Sequence, residues 1–243
     1  MSNLTTHAVR RIGHKGADHI APGNTTASFD AALAHGCDMV EFDVLPENAD
    51  GSGRLVLAHD FKVIAEREPL TLEEGLDHLC SEAFAGIELD VDLKGGGYEQ
   101  RVVNALRERG LEERTLISTM EVDSLPVVRA ASPVVRLGWS VPKSRRDYLA
   151  HPATRPIALG ALGLLRRTVP RAVARAIRTG KIDAAMSHWA LVTPYFVRHV
   201  REAGGELYVW TVDDARKIQH FEAMGVTGVI TNDPRLFDPP TAG

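Results

Sequence analysis

The feature that most constrains the fold is a regular alternation of short apolar segments with amphipathic segments along the whole chain. Segments with the two-residue period of a β-strand recur eight times, and nearly every one precedes a segment with helical periodicity. Parallel strands need such crossovers, whereas antiparallel strands can be joined by short turns. The predicted strands are 8–13, 38–44, 87–93, 115–119, 134–140, 184–189, 206–212 and 226–231.

This pattern predicts an α/β fold, a single (β/α)8 TIM barrel with its site at the C-terminal ends of the strands. The length of 243 residues fits one such barrel. An open doubly wound sheet is the alternative, but the first strand is not followed by a glycine-rich dinucleotide-binding turn. We therefore expect residues 1–243 to form one domain, with a short helical and basic insertion at about 141–182.

The composition narrows the functional class. The net charge of −4 gives no reason to expect a nucleic-acid partner. The two cysteines do not have the spacing of metal ligands. The N-terminus lacks an apolar signal region. The longest uncharged apolar run, 157–165, is too short to span a bilayer. We expect a soluble cytoplasmic protein.

The stretch 36–60 contains the clearest candidate site. Glu41 and Asp43 alternate with apolar residues, so they lie on one face of a strand. A turn at 50–53 and a second strand at 54–58 then bring His59 back toward them. Two adjacent carboxylates repel each other unless a cation lies between them, which points to a hard metal ion. The alternative is a strand with a solvated polar face.

Other polar residues lie at the ends of predicted strands and are expected to meet at the same rim. His14 ends the first strand, Asp92 and Lys94 end the third, and Trp210 lies late in the seventh. Asn24 is expected to cap a helix over 25–35.

At these positions the sequence resembles the glycerophosphodiester phosphodiesterase family. The family's ordered motifs cover nearly the whole chain. They stand here at 14–16 (His-Lys-Gly), 22–25 (Pro-Gly-Asn-Thr), 41–43 (Glu-Phe-Asp), 59–60 (His-Asp), 92–94 (Asp-Leu-Lys), 210–211 (Trp-Thr) and 231–234 (Thr-Asn-Asp-Pro).

Three features depart from the family pattern. Lys15 replaces an arginine, and a lysine cannot grip a phosphate with two parallel hydrogen bonds. Gly23 replaces a glutamate, and the segment 61–70 is shorter than the insertion that the family usually carries there. A more open mouth would suit a bulkier diester, such as a lysophospholipid.

The resemblance implies a metal-dependent phosphodiesterase. Glu41, Asp43 and Asp92 are the expected ligands of one Mg²⁺ or Ca²⁺ ion, although Asp92 could instead be a structural partner of Lys94. His14 and His59 are the expected acid and base, because histidine titrates near neutral pH. The order of their roles stays open, as does the choice between water and a substrate hydroxyl as nucleophile.

Three further side chains are expected to bind substrate. Lys15 and Lys94 are candidates to hold the phosphate, or else to pair with the metal ligands. Trp210 is a candidate to pack against the alcohol, or else a core residue.

The segment 143–181 differs in charge from the rest of the chain. It contains ten Lys or Arg residues and one acidic residue, which leaves 18 basic and 31 acidic residues elsewhere. An apolar run at 157–165 precedes Arg166 and Arg167, a pattern that suits peripheral contact with anionic lipid. The alternative is an ordinary helix with a solvated basic face.

The expected reaction is hydrolysis of a glycerophosphodiester to an alcohol and glycerol 3-phosphate. One alternative is a lysophospholipase D-like hydrolase that acts on lysophospholipids. Another is a catalytically silent barrel that binds a phosphorylated ligand.

Overall fold

The computed structural model describes residues 9–143 and 155–238, with side chains from residue 160 onward in the second range. Among these residues, no helix combines the length and the hydropathy needed to cross a bilayer. The predicted apolar run 157–165 and the first part of the basic segment lie partly outside this description.

Eight parallel strands form a closed barrel. The first strand pairs with both the second and the last, which closes the sheet and excludes the open doubly wound alternative. The parallel strands are β1 (Arg10–Gly13), β2 (Met39–Pro46), β4 (Glu88–Leu93), β5 (Thr115–Thr119), β6 (Arg136–Val141), β7 (Ala184–His188), β8 (Glu206–Trp210) and β9 (Gly228–Thr231). The predicted barrel is confirmed, with strand ends that differ from the prediction by one or two residues.

Helices connect the strands on the outside of the barrel, as the alternating pattern predicts. They are α1 (Thr26–Ala34), α2 (Phe61–Glu66), α3 (Leu72–Leu79), α4 (Glu99–Glu108), α5 (Ser124–Ala131), α6 (Arg155–Arg178), α7 (Pro194–Glu202) and α8 (Ala215–Met224). Their apolar faces and the outward face of the strands form one large core.

A short hairpin interrupts the second connection. Strand β3 (Leu55–Leu57) pairs antiparallel with the end of β2, as the turn at 50–53 predicts. Asp60 then begins α2, because its side chain accepts hydrogen bonds from the backbone of Lys62 and Val63. The hairpin therefore leaves His59 at the C-terminal rim of the barrel.

The predicted cap of the first helix is wrong by one residue. Thr25 caps α1 and forms a reciprocal capping box with Ser28. Asn24 instead adopts a left-handed backbone conformation (φ 60°) and is buried, with its side chain directed at β2. An asparagine tolerates this conformation better than most residues. Phe29 of α1 packs against Phe42, with ring centroids 5.7 Å apart, and holds α1 over β2.

The interior of the barrel is closed at its N-terminal end by four charged side chains. We call them the floor ring, and they come from four alternate strands, namely Arg10, Glu88, Arg136 and Glu206. Each arginine contacts both glutamates, at N–O distances of 2.5–3.2 Å. Apolar residues fill the barrel above the ring, including Ile12, Met39 and Met186. The barrel is thus a packed core and not a pore, and the site can lie only at its open end.

Candidate active site

Three carboxylates meet at the C-terminal end of neighbouring strands. We call Glu41, Asp43 and Asp92 the carboxylate cluster. Glu41 and Asp43 lie on β2, and the register places Asp43 beside Asp92 of β4. One oxygen of each residue lies within 4.8 Å of the others. The predicted alternation therefore brings all three expected metal ligands together.

One ammonium group lies inside this cluster. Lys94 Nζ is 2.5 Å from Asp43 Oδ1 and 2.5 Å from Asp92 Oδ2. Burial by itself lowers the pKa of Lys94, but the surrounding carboxylates raise that pKa well above its usual value. Asp92 thus partners Lys94, as the structural alternative has it, and it also belongs to the cluster that the metal-ligand prediction requires.

The cluster carries more negative charge than Lys94 neutralises. Burial, followed by the charge of Asp43, raises the pKa of Glu41 well above its ordinary range. Burial also raises the pKa of Asp92. For Asp43, burial acts in the same direction, but Lys94 and the two histidines His59 and His14 lower its pKa overall.

A hard divalent cation fits this donor set. All candidate donors are carboxylate oxygens, which Mg²⁺ and Ca²⁺ prefer. Asp43 Oδ1 is paired with Lys94 at 2.5 Å and lies close to the oxygens of the other two carboxylates. A cation bound here would favour the ionised forms of Glu41 and Asp92, whose pKa values burial raises.

Asn24 fixes the orientation of Asp43. Its amide nitrogen donates to Asp43 Oδ2 at 3.0 Å, and its amide oxygen accepts from the Asp43 backbone N–H at 3.0 Å. This pair of bonds leaves Oδ1 of Asp43 directed toward the cluster. Second-layer partners of this kind orient metal ligands in proteins.

His14 lies beside the cluster, where the sequence places it. Its Nε2 is 3.8 Å from Glu41 Oε2, and its Nδ1 is 2.6 Å from Asn232 Oδ1. Burial lowers the pKa of His14, although Asp43 and the bond to Asn232 oppose that effect. His14 is therefore favoured as the neutral imidazole, which can accept a proton.

Lys15 contributes to the site mainly through its backbone. Its N–H donates to Glu41 Oε2 at 2.7 Å, and a left-handed backbone conformation (φ 51°) directs it there. The ammonium group turns away from the carboxylate cluster and lies 3.3 Å from Asp18 Oδ2. The ammonium group of Lys15 thus faces Asp18, so the alternative in which it pairs with the metal ligands does not match this geometry.

Asp18 occupies the space next to Gly23. Its Oδ1 accepts from the Gly23 backbone N–H at 2.8 Å, and a Cβ added at Gly23 would lie 2.5 Å from the same oxygen. No side chain fits at position 23 unless Asp18 moves. A carboxylate thus stands beside the site although the glutamate of the family motif is absent.

His59 borders a cavity next to these groups. The side chain is about half exposed, and its Nδ1 lies 3.4 Å from Asp60 Oδ2. The cavity has a volume of about 380 Å³, and six of its nine lining residues have charged or polar side chains. His59 lies near enough to the cluster to help lower the pKa of Asp43 and to oppose the rise that burial causes in the pKa of Asp92. The structure thus brings both predicted histidines to one rim.

Trp210 ends β8 on the inner side of the barrel. It is partly exposed and packs on the apolar interior. Its ring meets that of His188 edge-on, with centroids 5.2 Å apart. Trp210 is thus placed where it can serve both roles that its sequence position allows, packing on the core and contacting a ligand.

Sequence reasoning assigned no role in the active site to several residues that the structure places there. Asn24 and Asn232 belong to quoted motifs, and the position of Asn232 directly after the last strand is a signal that could have identified it. Asp213 and His188 lie just after β8 and at the end of β7, so the rule that placed Trp210 at the rim applies to them as well. Asp18 carries no such signal, since only the turn between 14 and 24 brings it close.

The chain matches the family model for the glycerophosphoryl diester phosphodiesterase family over residues 14–66 and 88–236. A glycerophosphodiester phosphodiesterase of Caldanaerobacter subterraneus subsp. tengcongensis is 24% identical over 265 residues. The alignment covers 92% of this chain and 93% of that protein.

Solved structures support the same fold. A glycerophosphodiester phosphodiesterase from Parabacteroides distasonis superposes with a TM-score of 0.71 at 18% identity, covering 94% of each chain. An Oleispira antarctica phosphodiesterase, solved with the product sn-glycerol-3-phosphate, superposes with a TM-score of 0.65 at 20% identity and also covers 94% of each chain.

Proposed function

Because the chain belongs to the glycerophosphoryl diester phosphodiesterase family, we propose that it hydrolyses glycerophosphodiesters to an alcohol and glycerol 3-phosphate. One observation carries the proposal: the buried carboxylate cluster lies beside two histidines at the open end of the barrel. The product bound to the Oleispira antarctica phosphodiesterase supports the same substrate class.

Glu41, Asp43 and Asp92 are the proposed ligands of one Mg²⁺ or Ca²⁺ ion. Such an ion, when bound, acts as a Lewis acid that neutralises charge on the phosphate oxygens. Asn24 holds Asp43 in position for this role, and the backbone N–H of Lys15 holds Glu41. Lys94 stays close enough to add a second positive charge next to the phosphate.

His14 and His59 are the proposed acid–base pair. One imidazole accepts the proton of the attacking hydroxyl, and the other donates a proton to the departing alcohol. The lowered pKa of His14 supports the accepting role for it, since the neutral ring has a free electron pair. His59 is about half exposed beside the cavity, where a departing alcohol could reach it.

The cavity next to His59 is the proposed site for one alcohol of the diester. Lys15 and Asp18 line it on one side, Arg67 and Glu66 on the other. Hydroxyl groups can exchange hydrogen bonds with such a lining, whereas an acyl chain would leave the charges without water. The lining therefore favours a short polar diester over a lysophospholipid, and Trp210 is proposed to contact the rest of the substrate from across the rim.

Release of free choline tests this function directly. We would assay glycerophosphocholine and lysophosphatidylcholine side by side, with Mg²⁺, with Ca²⁺ and with a chelator. We expect turnover of glycerophosphocholine that requires the cation and is lost in Asp43→Asn. An Asp123→Asn variant serves as the control, because Asp123 is exposed and belongs neither to the carboxylate cluster nor to the lining of the cavity next to His59.

The other outcomes separate the alternatives. Turnover of the lysophospholipid alone would support the lysophospholipase D-like reading instead. No turnover of either substrate, together with binding of glycerol 3-phosphate, would support the silent barrel. Equal turnover in the presence of the chelator would contradict the role of the carboxylate cluster.

We further propose that residues 1–243 form one cytoplasmic catalytic domain, with 141–182 as a helical insertion. Most of that segment belongs to α6, a helix of 24 residues. Cys37 and Cys80 are both free thiols, as is usual in the reducing cytoplasm.

A contact of α6 with anionic lipid is the proposed role of the basic segment. Leu164 is 63% exposed, and Arg167 and Arg171 are also exposed. Arg166, by contrast, donates to the backbone oxygen of Ala190 at 2.9 Å, so its side chain is tied to the loop after β7. Basic and apolar side chains exposed together suit the surface of an anionic membrane.

Co-sedimentation with phosphatidylserine-containing vesicles tests this contact. We expect Arg167→Glu with Arg171→Glu to abolish binding, and Arg216→Glu on α8 to leave it unchanged, because Arg216 is exposed but lies outside the basic segment. If the double variant Arg167→Glu, Arg171→Glu binds the vesicles as well as the wild type does, the lipid contact is contradicted and α6 is a helix with a solvated basic face.

A further inference from the structure

Asp213 lies in the loop after β8 and holds the residue that follows β9. Its Oδ1 accepts from the Asn232 backbone N–H at 2.8 Å and from Thr231 Oγ1 at 2.9 Å. Its Oδ2 accepts from the Asn232 side-chain nitrogen at 2.7 Å. Although Asp213 is exposed on its outer side, these three bonds determine how the Asn232 amide is turned.

The direction of the Asn232 amide follows from this arrangement. An ionised carboxylate only accepts hydrogen bonds, so the amide group facing Asp213 must be the NH₂. The amide oxygen then faces His14 Nδ1, at 2.6 Å. The opposite orientation would place an amide oxygen against a carboxylate and would leave two acceptors in contact.

The amide oxygen in turn determines which nitrogen of His14 carries the proton. Since an amide oxygen cannot donate, His14 Nδ1 must be protonated and donate to Asn232. In the neutral ring, Nε2 then has the free electron pair, and this nitrogen faces Glu41 of the carboxylate cluster.

The intervening amide also limits the charge that His14 meets. A carboxylate bonded directly to Nδ1 would favour the imidazolium form, which has no free electron pair. Asn232 orients the His14 ring through the hydrogen bond at Nδ1, but its amide has a dipole and no net charge. The negative charge of Asp213 stays one residue farther away, bonded to Asn232 and Thr231.

We propose that Asp213 and Asn232 are positioning residues that keep neutral His14 protonated on Nδ1, so that Nε2 serves as the proton acceptor of the reaction. The inference rests on the proposed phosphodiesterase function. It adds two residues that act through His14 and do not touch the substrate.

The variant Asp213→Asn tests the proposal with almost no change in size. The oxygen of the new amide has to accept the hydrogen bond from the Asn232 backbone N–H, whose position is fixed. The NH₂ of the new amide then takes the place of Asp213 Oδ2 and faces the NH₂ of Asn232. Asn232 then turns over and presents its NH₂ to His14 Nδ1, and the proton of His14 moves to Nε2. Asp214→Asn is the matched control, because Asp214 is the adjacent aspartate and only caps α8 through the Lys217 backbone N–H.

Two measurements on the complete protein decide the question. The first measurement reports the tautomer of His14. It uses long-range ¹H–¹⁵N correlation spectra of ¹⁵N-histidine-labelled protein with Mg²⁺ added. The signals of His14 are assigned by their loss in His14→Gln. We expect the Nδ1–H form in the wild type and in Asp214→Asn, and the Nε2–H form in Asp213→Asn. We also expect kcat of Asp213→Asn to fall by about 100-fold or more, with KM changed less than about threefold.

Each remaining result counts against the proposal. An Nδ1–H ring in Asp213→Asn, or an Nε2–H ring in the wild type, would overturn the positioning role. A changed tautomer with unchanged kcat would show that the tautomer does not matter for the reaction. If the wild type hydrolyses no diester, the proposed function fails, while the spectra still decide whether Asp213 sets the tautomer.

Discussion

Two groups of charged side chains lie inside the same barrel, and they differ in how their charges balance. In the floor ring, two arginines and two glutamates contact one another and sum to zero. In the carboxylate cluster, three carboxylates surround the single ammonium group of Lys94, which leaves two negative charges when all are ionised.

The pKa values of the two groups reflect this difference. Burial by itself lowers the pKa of Arg10, but its bonds to Glu206 and Glu88 raise that pKa overall. For Arg10 the raised pKa favours the charged form. The pKa of Glu41 is raised as well, by burial and by the charge of Asp43, but for an acid this favours the uncharged form. A balanced group of charges can serve structure alone, whereas a buried group with excess negative charge is a candidate site for a cation.

The largest expected difference between the two ends of the barrel is in kcat. We expect His59→Ala to lower kcat by about 10²–10⁴-fold, because a positioned proton donor or acceptor contributes a factor of that size. Glu206→Gln in the floor ring should leave the kcat of the folded protein within about twofold. Steady-state assays of choline release check both, and similar losses in the two variants would contradict the division into a catalytic and a structural end.

A bound cation should stabilise the folded protein through the carboxylate cluster and not through the floor ring. At about 100 times its dissociation constant, Mg²⁺ or Ca²⁺ should raise the free energy of unfolding by about 2.7 kcal/mol. Urea unfolding with and without the cation measures this increment. We expect Glu206→Gln to retain it and Asp43→Asn to lose it, so an increment that survives in Asp43→Asn would place the ion elsewhere.

Breaking the floor ring should lower stability without affecting the chemistry. Arg136→Met removes one of the two arginines that contact the partly buried Glu88 and Glu206, and it should cost about 1–3 kcal/mol. Lys62→Met removes an exposed ion pair with Glu66 and should change stability by less than about 1 kcal/mol. Urea unfolding compares the two, and equal costs would mean that the ring adds no more than a surface pair.

Asp90 lies between the two groups and should make the metal-free protein sensitive to pH. Its Oδ1 has no hydrogen-bond partner among the described residues, and burial, followed by the charge of Asp92, raises its pKa to about 8. The folded state therefore holds the proton more tightly than the unfolded state does. The resulting stability is fully present below the ordinary aspartate pKa and is lost as the pH rises through about 8.

The variant Asp90→Asn isolates this effect, because an amide stays neutral at every pH. Between pH 5 and pH 9, the metal-free wild type should lose more stability than Asp90→Asn does. The difference should exceed about 1.4 kcal/mol, the equivalent of one pKa unit. Urea unfolding at both pH values measures it, with Asp123→Asn, an exposed aspartate, as the reference. Parallel pH curves for the wild type and Asp90→Asn would contradict a proton held by Asp90.

Local patterns predicted most of the barrel and part of the site. The alternation in β2 places Glu41 and Asp43 on one face whatever the rest of the chain does, and the same period places Asp92 on β4. The turn at 50–53 specifies the hairpin that returns His59 to the rim. These assignments depend on neighbours in the chain, which is why the sequence was enough for them.

The prediction for Asn24 failed for the converse reason. Asparagine is a good helix cap, and the local sequence offers no means of choosing between Asn24 and Thr25. The choice depends on Asp43, which is 19 residues away and bonds both ends of the Asn24 amide. A contact of this kind exists only after α1 has packed over β2.

The sequence by itself determined the barrel and predicted which carboxylates and histidines lie at its polar rim, because strand and helix periods and short motifs are local properties of the chain. Only the tertiary structure decided how those groups are oriented and charged. The position of Lys94 between two carboxylates, the turn of Lys15 toward Asp18, and the chain of bonds from Asp213 through Asn232 to His14 all join residues on different elements. Orientation and charge depend on distance and burial, and those quantities arise only when the barrel closes.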